Sequence, residues 1–389
     1  MKTIQVLKPK YRSDEILKEI KLCLDKSWTG MGFKTIEFEE AWKDYTKLPH
    51  AHFIQSNTVG LHLALNIFKN QEKWNDGDEV ITTPLTFVST NHSILYENLK
   101  PVFADVDEHL CLCPKSLEKR ITNKTKAVMY VGMGGNVGNL DEIILLCKKH
   151  NLKLILDAAH MAGTYTKEVH GGCAYAKLHC GWEADVTVFS FQAVKNLPTA
   201  DSGMICFKQE KYDKLVRQLS WLGIDKDTYS RSDGKGSYKW RYDVPNVGFK
   251  YHGNSIMASI GLVQLKYLDE DNDYRNEIAK FYDNLLDDVN GVQKIPLNWN
   301  VYKSSRHLYQ ILVDKNKRGK ILEHLYNNKI YPGVHYIDNT NYPMYKYAKG
   351  SCPNAHKYSE QLLTLPIHLE LNYNDCKKIV ATIKEVLNG

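Results

Sequence analysis

Short apolar runs alternate with stretches of helical spacing along the first two-thirds of the chain. Runs from His52 to the polar turn at Gln55, and at Gly77–Ile81, Pro101–Asp105, Lys126–Val131, Leu154–Leu156, Val186–Phe189 and Met204–Phe207, read as strands. Most are separated by helical or turn-rich segments, which predicts a mainly parallel sheet covered on both faces. Ser13-Asp14-Glu15 followed by Ile16, Leu17, Ile20 and Leu24 predicts a capped amphipathic helix with acids in its first turn. Phe38, Trp42 and Tyr45 share one face of a second helix over Glu37–Tyr45, and Leu61, Leu65 and Phe68 mark a third. After about Asp269 the pattern changes to Lys-, Asn- and Tyr-rich pieces. Ser305–Val313 reads as a strand, Lys329–Ile337 as a strand and turn, and Ile379, Val380, Ile383, Val386 and Leu387 line a final helix.

Composition narrows the class. The chain has 389 residues, 43% hydrophobic and 25% charged, which suits a folded protein with room for two domains. The net charge of +6 is spread over 51 basic and 45 acidic residues without a long basic run, so an anionic small substrate is a better expectation than nucleic acid. No apolar run approaches the ~18 residues of a membrane span. The N-terminal stretch is too polar for a secretory signal, so a cytoplasmic location is expected. The 9 cysteines are scattered, which argues against a disulfide framework. Cys173 and Cys180, flanked by His170 and His179, match no common zinc spacing, and no metal site is expected.

Candidate chemistry gathers on two stretches. Val186–Met204, VTVFSFQAVKNLPTADSGM, places Lys195 in a small-residue turn just past a strand, near the carboxyl edge where open α/β folds build their sites. A lone lysine is usually a solvated surface residue. Leu152–Gly163, LKLILDAAHMAG, changes that reading, because a strand there ends in Asp157 and is followed by His160. A lysine and an acid at neighbouring strand ends suit pyridoxal phosphate (PLP): the amine bonds the cofactor and the carboxylate keeps its ring nitrogen protonated. Gln55-Ser56-Asn57-Thr58 before a helix offers backbone N–H groups and hydroxyls to an anion, although the same residue types are also ordinary N-caps.

These pieces resemble the DegT/DnrJ/EryC1/StrS family of sugar aminotransferases, PLP enzymes of fold type I. SWTGMGFKTIEFEEAW, HFIQSNTVGLHLAL and VGFKYHGNSIMASIGLVQL extend the likeness over about residues 10 to 388. The resemblance implies an aspartate aminotransferase-like α/β fold. Its large PLP-binding domain, with a mainly parallel seven-stranded sheet, would cover residues 1–268, and a small α/β C-terminal domain 269–389. It implies that Lys195 carries the cofactor and moves protons, that Asp157 faces the ring nitrogen and that His160 lies near the ring. Phe87 would stack on the ring, while Asn57, Thr58 and Ser190 would hold the phosphate together with Lys250 of the other subunit of a homodimer. Asn57 stands where the family has glycine, Lys250 where it has asparagine and His252 where it has arginine. His335, Tyr336 and Arg306 are candidates for contacting substrate.

The implied reaction moves an amino group, usually from L-glutamate, to the keto group of a nucleotide-linked 6-deoxy sugar for surface polysaccharide or amino-sugar synthesis. A small phosphorylated ketone is the alternative acceptor. A dehydratase branch of the family replaces the lysine with histidine, which Lys195 argues against. A non-catalytic binding protein on the same fold is a further alternative. The segments 165–183 and Tyr229–Tyr242 read as loops, the first longer than the family's.

Overall fold

The apolar runs pair into one seven-stranded sheet because their side chains must be covered on both faces. The computed structural model describes residues 2–166, 178–225, 242–297 and 302–389. The strands are β1 (His52–Ile54), β2 (Glu79–Thr82), β3 (Lys100–Phe103), β4 (Thr125–Val131), β5 (Lys153–Asp157), β6 (Val186–Ser190) and β7 (Gly203–Phe207). Their order is β1-β7-β6-β5-β4-β2-β3. All neighbours are parallel except around β7, which runs antiparallel to both β6 and β1. Two reversals leave β1 running with the others. The carboxyl ends of β1, β2, β5 and β6 therefore open on one edge.

Helices cover the sheet on both faces. Helix α1 (Ser13–Asp25) begins with Ser13 as its first helical residue; Arg12 occupies the N-cap without a side-chain bond to the helix. The expected serine cap is thus replaced by an anchor, since the Arg12 guanidinium clasps Asp271, with Nη1 2.7 Å from Oδ2. Helix α2 (Phe33–Thr46) is longer than its aromatic stripe suggested and inserts that stripe into the core. Trp42 packs edge-on against Phe189 and Phe191 at ring separations of 4.9 and 5.0 Å, and Phe38 against Phe53 at 5.1 Å. Truncating a fully buried aromatic of this kind costs roughly 3–5 kcal/mol.

The C-terminal part forms its own small α/β layer. An antiparallel sheet of Val292–Lys294, Tyr309–Val313 and Leu362–Leu365 is covered by the helices Leu268–Leu286, Lys315–Asn327 and Tyr373–Asn388. The strand predicted at Ser305 begins only at Tyr309. The residues before it turn toward the large sheet: Ser304 Oγ donates to Gly135 O at 2.8 Å and Ser305 Oγ to His160 O at 2.6 Å. Most of 165–183, including Cys173, and most of Tyr229–Tyr242 fall outside the described residues. Among the described residues no group of His, Cys, Asp or Glu could hold a metal, and no helix is long and apolar enough to cross a membrane.

Candidate active site

The carboxyl edge of the sheet lines a cleft of about 420 Å³, within the usual range for small-molecule sites, roughly 300–1,000 Å³. Its walls include Thr58, Phe87, Asp157, His160, Ser190 and Lys195, with His335 and Tyr336 closing it from the C-terminal part. Lys195 sits in the turn between β6 and β7, fixed by its own N–H donating to Gln192 O at 2.8 Å. Burial lowers its amine from the ordinary 10.5 to about 8, against the opposing pull of the Asp157 charge.

Asp157 ends β5 and is only 3% exposed. Burial raises its carboxyl, and donors from Thr90, Ala159 and Asn57 work in the opposite direction. Oδ1 accepts Asn57 Nδ2 at 3.1 Å and the Ala159 N–H at 3.2 Å, whereas Oδ2 accepts Thr90 Oγ1 at 2.8 Å. A carboxylate offers about four acceptor positions. Among the described donors, one position on Oδ2 is left for a ring N–H.

His160 is held neutral by burial, which pushes its pKa well down, and the charge on Lys195 adds to the effect. The Gly134 N–H donates to Nδ1 at 3.2 Å, so the ring proton is on Nε2, which faces the Tyr336 hydroxyl at 3.3 Å. His307 packs against the imidazole at 4.5 Å between ring centres and bonds Asn196, the neighbour of Lys195, at 2.8 Å. Phe87 is 56% exposed and lies in the cleft mouth 5.9 Å from the Tyr336 ring, placed where it can cover a planar ligand.

The helix following β1, α3 (Asn57–Gln71), starts at this edge. Ser56 caps it by accepting the Val59 N–H at 3.3 Å, leaving other first-turn N–H groups for an anion beside the Thr58 and Ser190 hydroxyls. Buried acid, near-neutral lysine and helix start together fit PLP: ring nitrogen to Asp157, aldehyde to Lys195 and phosphate to the helix start.

One of the expected residues is placed differently. Arg306 is buried at 7% exposure, with Nη2 3.6 Å from Asp283 Oδ2 in the C-terminal part, and does not line the cleft. Its backbone lies in the left-handed region, at φ 47°. Asn57 lines the cleft, and its side chain bonds Asp157 and Val188 O. Lys250 is exposed outside this chain's own cleft, its Nζ lying 3.3 Å over the Trp221 ring. His252 packs edge-on against the same indole at 4.6 Å, with Nδ1 2.7 Å from Gly253 O. Sequence reasoning missed Thr90, Asn196 and His307. Only their proximity in the fold gives them a part in the site.

A seven-stranded α/β sheet with a lysine beyond one strand and an acid at the end of its neighbour defines the aspartate aminotransferase-like fold type I, the class of PLP-dependent aminotransferases. The chain belongs to the DegT/DnrJ/EryC1/StrS aminotransferase family, whose model matches residues 10–384. It is 33% identical over 387 residues to the spore coat polysaccharide biosynthesis protein SpsC of Bacillus subtilis, covering 96% of this chain and 95% of that protein. It is 32% identical over 382 residues to the UDP-4-amino-4,6-dideoxy-N-acetyl-beta-L-altrosamine transaminase of Campylobacter jejuni, covering 96% and 94%. The PLP form of the putative sugar aminotransferase Spr1654 from Streptococcus pneumoniae superposes with a TM-score of 0.88 at 27% identity, covering 100% of this chain and 99% of that one.

Proposed function

We propose that this protein transfers an amino group from L-glutamate to the keto group of a nucleotide-linked 6-deoxy sugar, as a homodimer, in the synthesis of a surface polysaccharide or amino sugar. The observation that carries the reading is the cleft in which Lys195, Asp157 and His160 converge beside the start of α3. The named activity of the Campylobacter relative supports a sugar-nucleotide acceptor.

When bound, PLP supplies an electron sink for the amino acid's α-carbon. Lys195 would hold the cofactor through its amine, and an amine lowered to about 8 is suited to take a proton from the donor's Cα and return it near neutral pH. Asp157 would hold the proton on the ring nitrogen. Neutral His160, with its proton on Nε2, and Phe87 at the cleft mouth would border the ring. Thr58, Ser190 and the N–H groups opening α3 would hold the phosphate, with the Lys250 ammonium serving the site of the other subunit. His335 and Tyr336 face the incoming substrate.

Acceptor choice is tested with the PLP-loaded protein and L-glutamate, comparing a UDP-linked 4-keto-6-deoxy sugar with a small phosphorylated ketone. Amination of the sugar nucleotide is the expected result. Turnover confined to the small ketone contradicts the acceptor assignment.

A further inference from the structure

Asn57 lies 6% exposed at the first position of α3, lines the cleft, and sends its side-chain amide to the neighbouring strands of the sheet. Nδ2 is 2.9 Å from the Val188 carbonyl and 3.1 Å from Asp157 Oδ1. A backbone carbonyl can only accept, so the amide nitrogen must face it, and the same nitrogen spends its second proton on the carboxylate. The amide orientation is therefore fixed by its partners.

The backbone around it allows little adjustment. A Cβ added at Gly60 would come within 2.5 Å of Ile54 Cδ1 and Val188 Cγ1, and one at Gly203 within 2.9 Å of the Asn57 nitrogen. Both glycines let the first turn of α3 sit directly on β1, β6 and β7. Packing sets the place of the helix start, and Asn57 transmits it to the acid.

We infer that Asn57 is a positioning residue for Asp157: it ties the carboxylate intended for the ring nitrogen to the helix start intended for the phosphate, linking both ends of the cofactor site. The inference rests on the proposed role of Asp157. Thr90 holds the other carboxylate oxygen from a different helix, Val88–Tyr96, and Ala159 donates from the local turn. The titratable groups facing Asp157 among the described residues are Lys195, from the β6–β7 turn, and Tyr336, from the C-terminal part.

The test compares affinities of the apoprotein for PLP and for a PLP analogue with carbon in place of the ring nitrogen, followed by quenching of protein fluorescence. Because Asn57 preorganises Asp157 before the cofactor binds, Asn57→Gly should bind PLP about tenfold more weakly. Its affinity for the carbon analogue should stay at the wild-type value, because that ligand makes no use of Asp157. Asn57→Ala, which keeps a side chain at the helix start, should behave the same way. Equal weakening toward both ligands would overturn the inference, since that is the signature of a damaged phosphate cradle. Undiminished PLP affinity in both variants would overturn it as well. Asp157→Asn is the control: it should lower PLP affinity selectively. If it discriminates between the ligands no differently from wild type, the underlying reading of Asp157 fails and this inference with it.

Discussion

The near-neutral amine of Lys195 makes a quantitative prediction about how the apoprotein takes up its cofactor. Only the unprotonated amine can attack an aldehyde. Burial beneath the cleft lowers Lys195 to about 8, while Asp157 opposes the shift. An ordinary lysine at 10.5 is neutral to about one part in three thousand at pH 7, whereas a group at 8 is neutral to about one part in ten. With saturating PLP, the rate at which Lys195 bonds the cofactor should rise about tenfold per pH unit up to pH ~8 and level off above it. Stopped-flow mixing of apoprotein with PLP, followed by the yellow absorbance of the lysine-bound cofactor, reads this directly. Asp157→Asn removes the charge that supports the ammonium, so its break should fall at lower pH than in wild type. A rate still climbing tenfold per unit at pH 10 would refute the argument, and so would a break moved upward in Asp157→Asn.

Two further outcomes follow from the structure. Burial alone would raise Glu39, but the Arg217 charge and the His52 hydrogen bond bring it down from 4.5 to about 2. Its carboxylate therefore stabilises the fold above the unfolded-state pKa, and that contribution is lost as pH falls from ~4.5 toward ~2; it amounts to about 3 kcal/mol at neutral pH. Glu39→Gln should lower Tm at pH 7 and flatten its acid dependence in a calorimetric scan; an unchanged Tm at pH 7 contradicts the assignment. Lys250→Ala should lower activity, and co-expression with Lys195→Ala should restore roughly a quarter of wild-type activity, because half of randomly assorted two-fold dimers then hold one intact site. No recovery over the separate variants would place Lys250 in its own subunit's site.

The strands were legible because a sheet buried on both faces demands apolar runs, and each run at the sheet edge carried its chemistry just beyond its last residue. Lys195 and Asp157 drew attention in this way, each close in sequence to a strand end, whereas His160 and Phe87 entered through the family resemblance; all four line the cleft. The direction of β7 was not legible, since Gly203–Phe207 reads the same whichever way it pairs. Ser305–Leu308 looked like strand because hydrophobic and polar positions continue into Tyr309–Val313. The Ser305 hydroxyl instead satisfies the carbonyl of His160 on the cleft wall, and that of the preceding Ser304 the carbonyl of Gly135. Arg306 was misplaced for the same reason: an arginine next to a strand carries no sign of which domain its side chain joins. Thr90 and His307 gave no local signal, because a threonine in a helix and a histidine before a strand are ordinary. Asn57 was visible as an unusual residue at a helix start, but its bond to Asp157 depends on how α3 sits on the sheet.

The absorbance spectrum of the PLP-loaded protein before and after L-glutamate is added reads the first half of the transamination. The expected result is a yellow lysine-bound cofactor that bleaches to the pyridoxamine form, with Lys195→Ala failing to catalyse the change. A spectrum that ignores glutamate, or a Lys195→Ala variant that converts the cofactor as fast as wild type, would contradict it.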